Sequence, residues 1–173
     1  MDEKGFLIGK LQKTRRIFTR DLYEQGTLTG AGQDGSGEWI TVVATICADG
    51  TKLSPALIYK AVSGNLQDTW LDDLEPDEHD CHFALSPNGW TSDELGYSWL
   101  TGLFEKETAP KARRSHRLLF VDGHGSHLNM KFLEWCEQHK TLLAVYPPHS
   151  THRLQPLDVG VFAPLASYYS QAL

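Results

Sequence analysis

Two aspartates end aliphatic or turn-rich stretches whose surroundings hold glycine and histidine: Asp122 in "RLLFVDGHGSHLN" and Asp158 in "YPPHSTHRLQPLDVGVF". Asp122 follows "LLFV", a continuous apolar run of buried-strand length. Its carboxylate is therefore expected to leave the sheet edge beside Gly123, close to the start of the next helix. The 35 residues between the two acids hold one helix, one strand and one loop, a connectivity that can return Asp158 to the same edge. A third acid, Asp2, precedes "GFLIG" and would stand on a neighbouring first strand. Side chains alternate along a strand, so adjacent Glu3 would face the other way. Three carboxylates on one edge repel each other, and divalent cations would neutralise them; hard oxygen ligands favour Mg²⁺ or Mn²⁺. Two such ions about 4 Å apart can clamp a phosphodiester, activating an attacking water or hydroxyl and stabilising the leaving oxygen. Each acid also has an ordinary reading, Asp122 as a helix cap and Asp158 as a turn residue.

The histidines offer a rival chemistry. His124 and His127 form one H-x-x-H pair and His149 and His152 another, and zinc could bind where two such loops meet. Four histidines without Cys or carboxylate are not a common structural zinc set, so we expect His127 and His149 to orient the acids or a phosphate from behind. Ser126 sits in "GHGSH" without the G-x-S-x-G elbow of a nucleophile, and an N-cap explains it. Gln155 and Pro156 precede Asp158 in a segment that a turn would explain. Trp90, Trp99 and Trp135 are expected in the core rather than as base-stacking platforms.

A formal charge of −6 over 173 residues argues against a free-standing nucleic-acid binder, because phosphate contacts need clustered Lys and Arg. Basic residues do cluster in "KTRR" and "KARRSHR", while "DTWLDDLEPDEHD" concentrates acid. Cys47, Cys81 and Cys136 lack C-x-x-C pairing, which speaks against a disulfide framework. No run approaches the length of a membrane span or a secretory signal, so an intracellular protein without a membrane partner is expected.

The elements that must position the acids are legible in outline. "GFLIGK", "EWITVVATICADG" and "LSPALIYKA" read as an antiparallel meander, with an Asp-Gly turn between the last two and the Gly-rich "GTLTGAGQDGSG" as turn or loop. From Ser63 to Pro87 periodicity is lost, and 63–87 is expected as a surface connection or insertion. "TSDELGYSWLTGLFEKET" is a helix capped by Thr91 or Ser92. "RLLFVD" is a strand, "HLNMKFLEWCEQHK" a helix with Leu128, Phe132, Trp135, Cys136 and His139 on one face, and "TLLAVYPP" a strand stopped by its prolines. The later part of "LDVGVFAPLASYYSQAL" is helical. This order predicts one α/β domain with a mixed sheet, the meander plus parallel strands, flanked by helices.

The blocks "MDEKGF", "EWITVVATICADGTKLSPALIYKA", "NGWTSDELGYSWL", "LLFVDGHGSHLNMKFLEWCEQHK" and "LLAVYPPHSTHRLQPLDVGVFAPL" resemble, in order, the DDE superfamily endonuclease domain of pogo/Tigger/jerky-type transposases, related to centromere protein B. The resemblance covers nearly the whole chain, and "PPHSTHRLQPLDVGVF" is its most specific part. It implies an RNase H-like fold and a transposase site of three acids, Asp2, Asp122 and Asp158, that uses Mg²⁺ or Mn²⁺, two ions, to cut DNA and transfer the strand; it also raises Gln155 from a turn residue to a supporting candidate beside the acids, with His127 and His149. It also implies DNA as partner, at transposon ends and target, a homo-oligomer in the active complex, and the nucleus as location. In this family helix-turn-helix domains precede the catalytic core. Here the chain starts almost on Asp2, so residues 1–173 are expected to be a core truncated at both ends, with Asp2 frayed. The alternative is a domesticated, catalytically silent module that keeps the fold to bind DNA or protein.

Overall fold

In a computed structural model, residues 1–8, 38–61, 74–75, 78, 80–123 and 128–172 are described. The meander forms as its alternation predicts. Strand β1 (Asp2–Ile8) pairs antiparallel with β2 (Glu38–Ala44), with Asp2 opposite Ala44, and β2 pairs antiparallel with β3 (Ala56–Lys60). The stretch expected as a connection or insertion contains β4 (His82–Ser86), which adds to β3 in parallel. Parallel neighbours need a long crossover, and residues 61–81 supply it. "HFALS" offers too few apolar residues in sequence to announce a strand by itself.

The turn after β4 depends on Gly89. Its φ is +78°, and a Cβ there would stand 2.8 Å from the Trp39 carbonyl oxygen. Buried Thr41 donates its hydroxyl to the Gly89 carbonyl at 2.6 Å. The turn delivers Trp90 onto Trp39, ring centroids 5.6 Å apart. Trp90 is 47% exposed, contrary to the core placement expected from its type: it covers Trp39 on the outside.

Helix α1 (Asp93–Ser98) starts at Ser92, whose hydroxyl accepts from the Leu95 N–H, with Asp93 and Glu94 in the first turn. The helix continues through a π-helical stretch (Trp99–Phe104) into α2 (Glu105–Ala112). Its inner side places Trp99, Leu100, Leu103 and Phe104 in a common core with Val43, Leu53 and Ile58. Losing the cap oxygen strands one N–H donor, so Ser92→Ala is expected to cost about 1 kcal/mol, read as a lower denaturant midpoint at unchanged slope. An unchanged midpoint would mean that water caps this helix equally well.

Strand β5 (Arg117–Val121) pairs in parallel with β6 (Thr141–Val145). Between them α3 (Met130–Gln138) is capped by the Asn129 side chain accepting from Phe132 N–H, and it buries Phe132, Trp135 and Cys136 against the core that holds Leu119 and Val121. Leu128 precedes the helix and is exposed, while His139 lies just past it, its ring stacked on Trp135 at 4.0 Å. Three short helices follow: α4 (Thr151–Leu154), α5 (Pro156–Gly160) and α6 (Phe162–Ala172). Tyr169 of α6 donates to the Leu7 carbonyl at 2.6 Å and meets Phe6 edge-on. That contact ties the chain's last helix to its first strand.

The Met1 amino group donates to the Phe120 carbonyl at 3.0 Å, so the start of β1 lies against β5. The four-stranded order β1-β2-β3-β4 and the β5-β6 pair thereby stand side by side. Antiparallel and parallel strands with flanking helices make this the α/β, RNase H-like arrangement that the sequence predicts.

Candidate active site

Asp2 opens β1, Asp122 follows the last residue of β5, and Asp158 lies in the first turn of α5. Asp2 is 6% exposed rather than frayed, because β1 pairs with β2 from its first residue. Asp122 and Asp158 are half-buried. One Asp2 oxygen, Oδ1, accepts from the Glu3 N–H at 2.8 Å; the other, Oδ2, is buried with no hydrogen-bond partner.

Electrostatics couples Asp2 to the other two acids. The Asp2 carboxyl is pushed up from its ordinary 3.8 to about 6, first by burial, then by the nearby charges of Asp158 and Asp122, with the Glu3 N–H pulling the other way. The Met1 ammonium is lowered by burial and held back from falling further by the charges of Asp2 and Asp122. Thus Asp2 feels the charges of both other acids. Among the described residues, no group of three or more His, Cys, Asp or Glu side chains is already arranged to hold a metal ion.

Gln155 separates the short helices α4 and α5 and is 2% exposed. Its amide faces Asp2 and lowers that carboxyl's pKa, yet neither amide atom closes a hydrogen bond of ordinary geometry. Burial of an unsatisfied amide is costly, and it sets Gln155, a supporting candidate from the resemblance alone, beside Asp2. Pro156 occupies the first position of α5, where its missing N–H costs nothing. His149 sits exposed with φ +61° in the turn between β6 and α4, and His152 is exposed on α4. His124, Ser126 and His127 lie outside the described residues.

A groove of about 580 Å³ borders this region, with Met1, Thr45, Phe120, Tyr146, Gln155 and Leu157 among its walls. The expected core residues Trp99 and Trp135 are buried; Trp99 Nε1 has no partner.

Residues 37–173 match the family described as DDE superfamily endonuclease. Over 172 residues, 99% of this chain, the sequence is 38% identical to a protein of Cochliobolus lunatus named MFS-type transporter clz9, covering 18% of that protein. Over 131 residues, 73% of this chain, it is 35% identical to the human protein named pogo transposable element with ZNF domain, covering 8% of it. The chain therefore spans less than a fifth of the length of these relatives. Among the described residues no helix is long and apolar enough to cross a membrane. No solved structure matches the chain.

Proposed function

Because the chain belongs to the DDE superfamily endonuclease family, we propose that it is the metal-dependent catalytic core of a pogo-like transposase, hydrolysing DNA phosphodiesters and joining the freed 3′-hydroxyl to target DNA. The family generally uses divalent metals. The residues here suit such ions: a buried carboxylate with an unpartnered oxygen and a raised pKa, beside two like charges, is what a hard dication compensates. That uncompensated Asp2 is the observation that carries the reading.

Asp2, Asp122 and Asp158 would hold Mg²⁺ or Mn²⁺, in keeping with a pair of ions. Bound there, such ions lower the pKa of a water and stabilise the leaving oxygen. Asp2, fixed by strand pairing and the Glu3 N–H, is the rigid member of the set. Asp122 leaves the sheet beside Gly123. Asp158 lies in the first turn of the short helix α5. The buried Gln155 amide can rotate to donate to Asp2 once that carboxylate is committed, and exposed His149 would meet phosphate or its hydration shell; His127 is assigned the same supporting part. Water attacks first, and the liberated 3′-hydroxyl then attacks the second DNA. The reading includes action in the nucleus, on transposon ends and target, in a homo-oligomeric complex.

Titrating Mn²⁺ into the purified chain at constant ionic strength tests this. Calorimetric heat and a rise in melting temperature are expected for the wild type and neither for Asp122→Asn. If both proteins remain folded and ignore the ion, the enzyme reading fails and the chain is the silent binding module.

A further inference from the structure

The ends of β5 and β6 opposite Asp122 carry a different chemistry. Helix α2 ends at Arg113, with φ +47° and ψ +43°, and Arg114 follows at φ +72°. At the end of α3, Lys140 also has a positive φ, +53°. All three are exposed, as is His116. Part of their neighbourhood is concave: a cavity of about 330 Å³ is walled by Arg114, Arg117, Gln138 and Lys140, with Glu105, the partner of Arg117, also on its wall, while Arg113 adjoins it through Arg114.

Left-handed backbone at the end of a helix is ordinarily given to glycine or asparagine, which adopt it cheaply. Helix dipoles favour cations near these ends, but that preference is met from any position in the last turn and does not require arginine where the backbone is strained. Strain that is retained at a surface loop points toward function. The neighbouring charges are already spent: Arg117 is paired with Glu105 at 2.6 Å and donates to Thr108 and to the His139 carbonyl, and Lys111 reaches Thr51, near Asp49. Glu107 is bonded to the Ser54 N–H. Lys140 donates to the Arg114 carbonyl at 3.4 Å. The guanidinium groups of Arg113 and Arg114 make no hydrogen bond or ion pair among the described residues.

We propose that Arg113, Arg114 and Lys140 form a phosphate-binding site for duplex DNA, separate from the acid edge. The planar guanidinium fork suits phosphate oxygens, and in a chain whose net charge is −6 Arg114 and Lys140 line one concavity, with Arg113 next to Arg114. Five residues of β5 separate this end from Asp122, about 16 Å at strand rise. The site therefore cannot touch the phosphate being cut. It holds backbone elsewhere along the DNA, or a second duplex. The choice of DNA over another polyanion rests on the transposase reading above.

The test is binding of a fluorescent duplex to the full chain in EDTA, measured across a salt series. Arg113→Gly/Arg114→Gly relieves the backbone while removing both charges, so it is expected to melt no lower than the wild type. Its affinity is expected to fall about tenfold near 0.1 M salt, and the slope of log K on log salt to shrink by about 1 to 2, since each lost phosphate contact removes about 0.9. Arg113→Gln/Arg114→Gln should bind equally weakly. Unchanged affinity and slope in a folded double variant would overturn the site, leaving a solvated basic face. Competition by polyglutamate as effective as unlabelled duplex at equal charge would overturn the choice of partner. Failure of the Mn²⁺ titration with this result intact would remove the catalytic reading alone.

Discussion

On supercoiled plasmid with Mn²⁺, Asp122→Asn and Asp158→Asn are each expected to nick DNA slower by a factor on the order of 10²–10³. The carboxamide keeps the shape and loses the charge, so a folding defect is not the expected cause. Removing one of several like charges near Asp2 relieves repulsion, and each variant should melt at or above the wild-type temperature without metal. Loss of rate together with retained stability is the combination that separates a catalytic acid from a cap or a turn residue: losing an N-cap would lower stability and leave chemistry alone. If the acids act as one unit, the double variant should be no slower than either single one, because effects within a catalytic set are not additive. Two single variants that nick at the wild-type rate would sink the proposal, and a double variant that lost the product of both effects would deny the shared site.

The sequence makes the position of Asp122 readable for reasons that are local. An apolar run ending in Asp-Gly marks the end of a buried strand, whereas the segment around Pro156 and Asp158 reads as a turn and proves to be the start of a short helix. The meander was equally legible, because β-branched alternation and an Asp-Gly turn are signals carried by neighbouring residues, and so was the Ser92 cap. What was not legible depends on partners far along the chain. Strand β4 owes its existence to pairing with β3, not to its own composition. The π-helical stretch Trp99–Phe104 shows the same apolar spacing that an α-helix would. Trp90 has a core residue's chemistry and lies outside because Gly89 turns it onto Trp39. Gln155 reads from spacing as a turn residue; only the family resemblance singles it out before its burial beside Asp2 is seen. Arg117 sits in the basic run "KARRSHR" with Arg113 and Arg114, yet it packs over the rings of Phe104 and Trp135 and pairs with Glu105, while the other two face solvent. Charge patterning alone cannot divide such a run.

Asp2→Asn is expected to make the metal-free protein more stable at pH 7, by about 2 kcal/mol, or some 4–8 °C in melting temperature for a chain of this size. The native carboxyl, raised to about 6 against an ordinary 3.8, holds its proton more tightly than the unfolded chain does. Between those two values the native state binds more protons, so stability is greatest below about pH 4 and falls as pH rises through about 6. The full shift would correspond to about 3 kcal/mol; water in the adjoining groove screens part of it, which leaves the smaller figure. Asparagine does not titrate, so the variant should lose this slope between pH 4 and 6. Millimolar Mn²⁺ should have the same effect on the wild type from the opposite direction: it favours the ionised carboxylates, releases a proton near pH 6, and raises melting temperature at pH 7 while leaving Asp2→Asn nearly unmoved. Melting curves at pH 4.5, 6 and 7.5, with and without the ion, check both arms. A variant less stable than the wild type at pH 7.5 would mean that Asp2 is satisfied in its charged form, and the case for a cation at this edge would lose its physical basis.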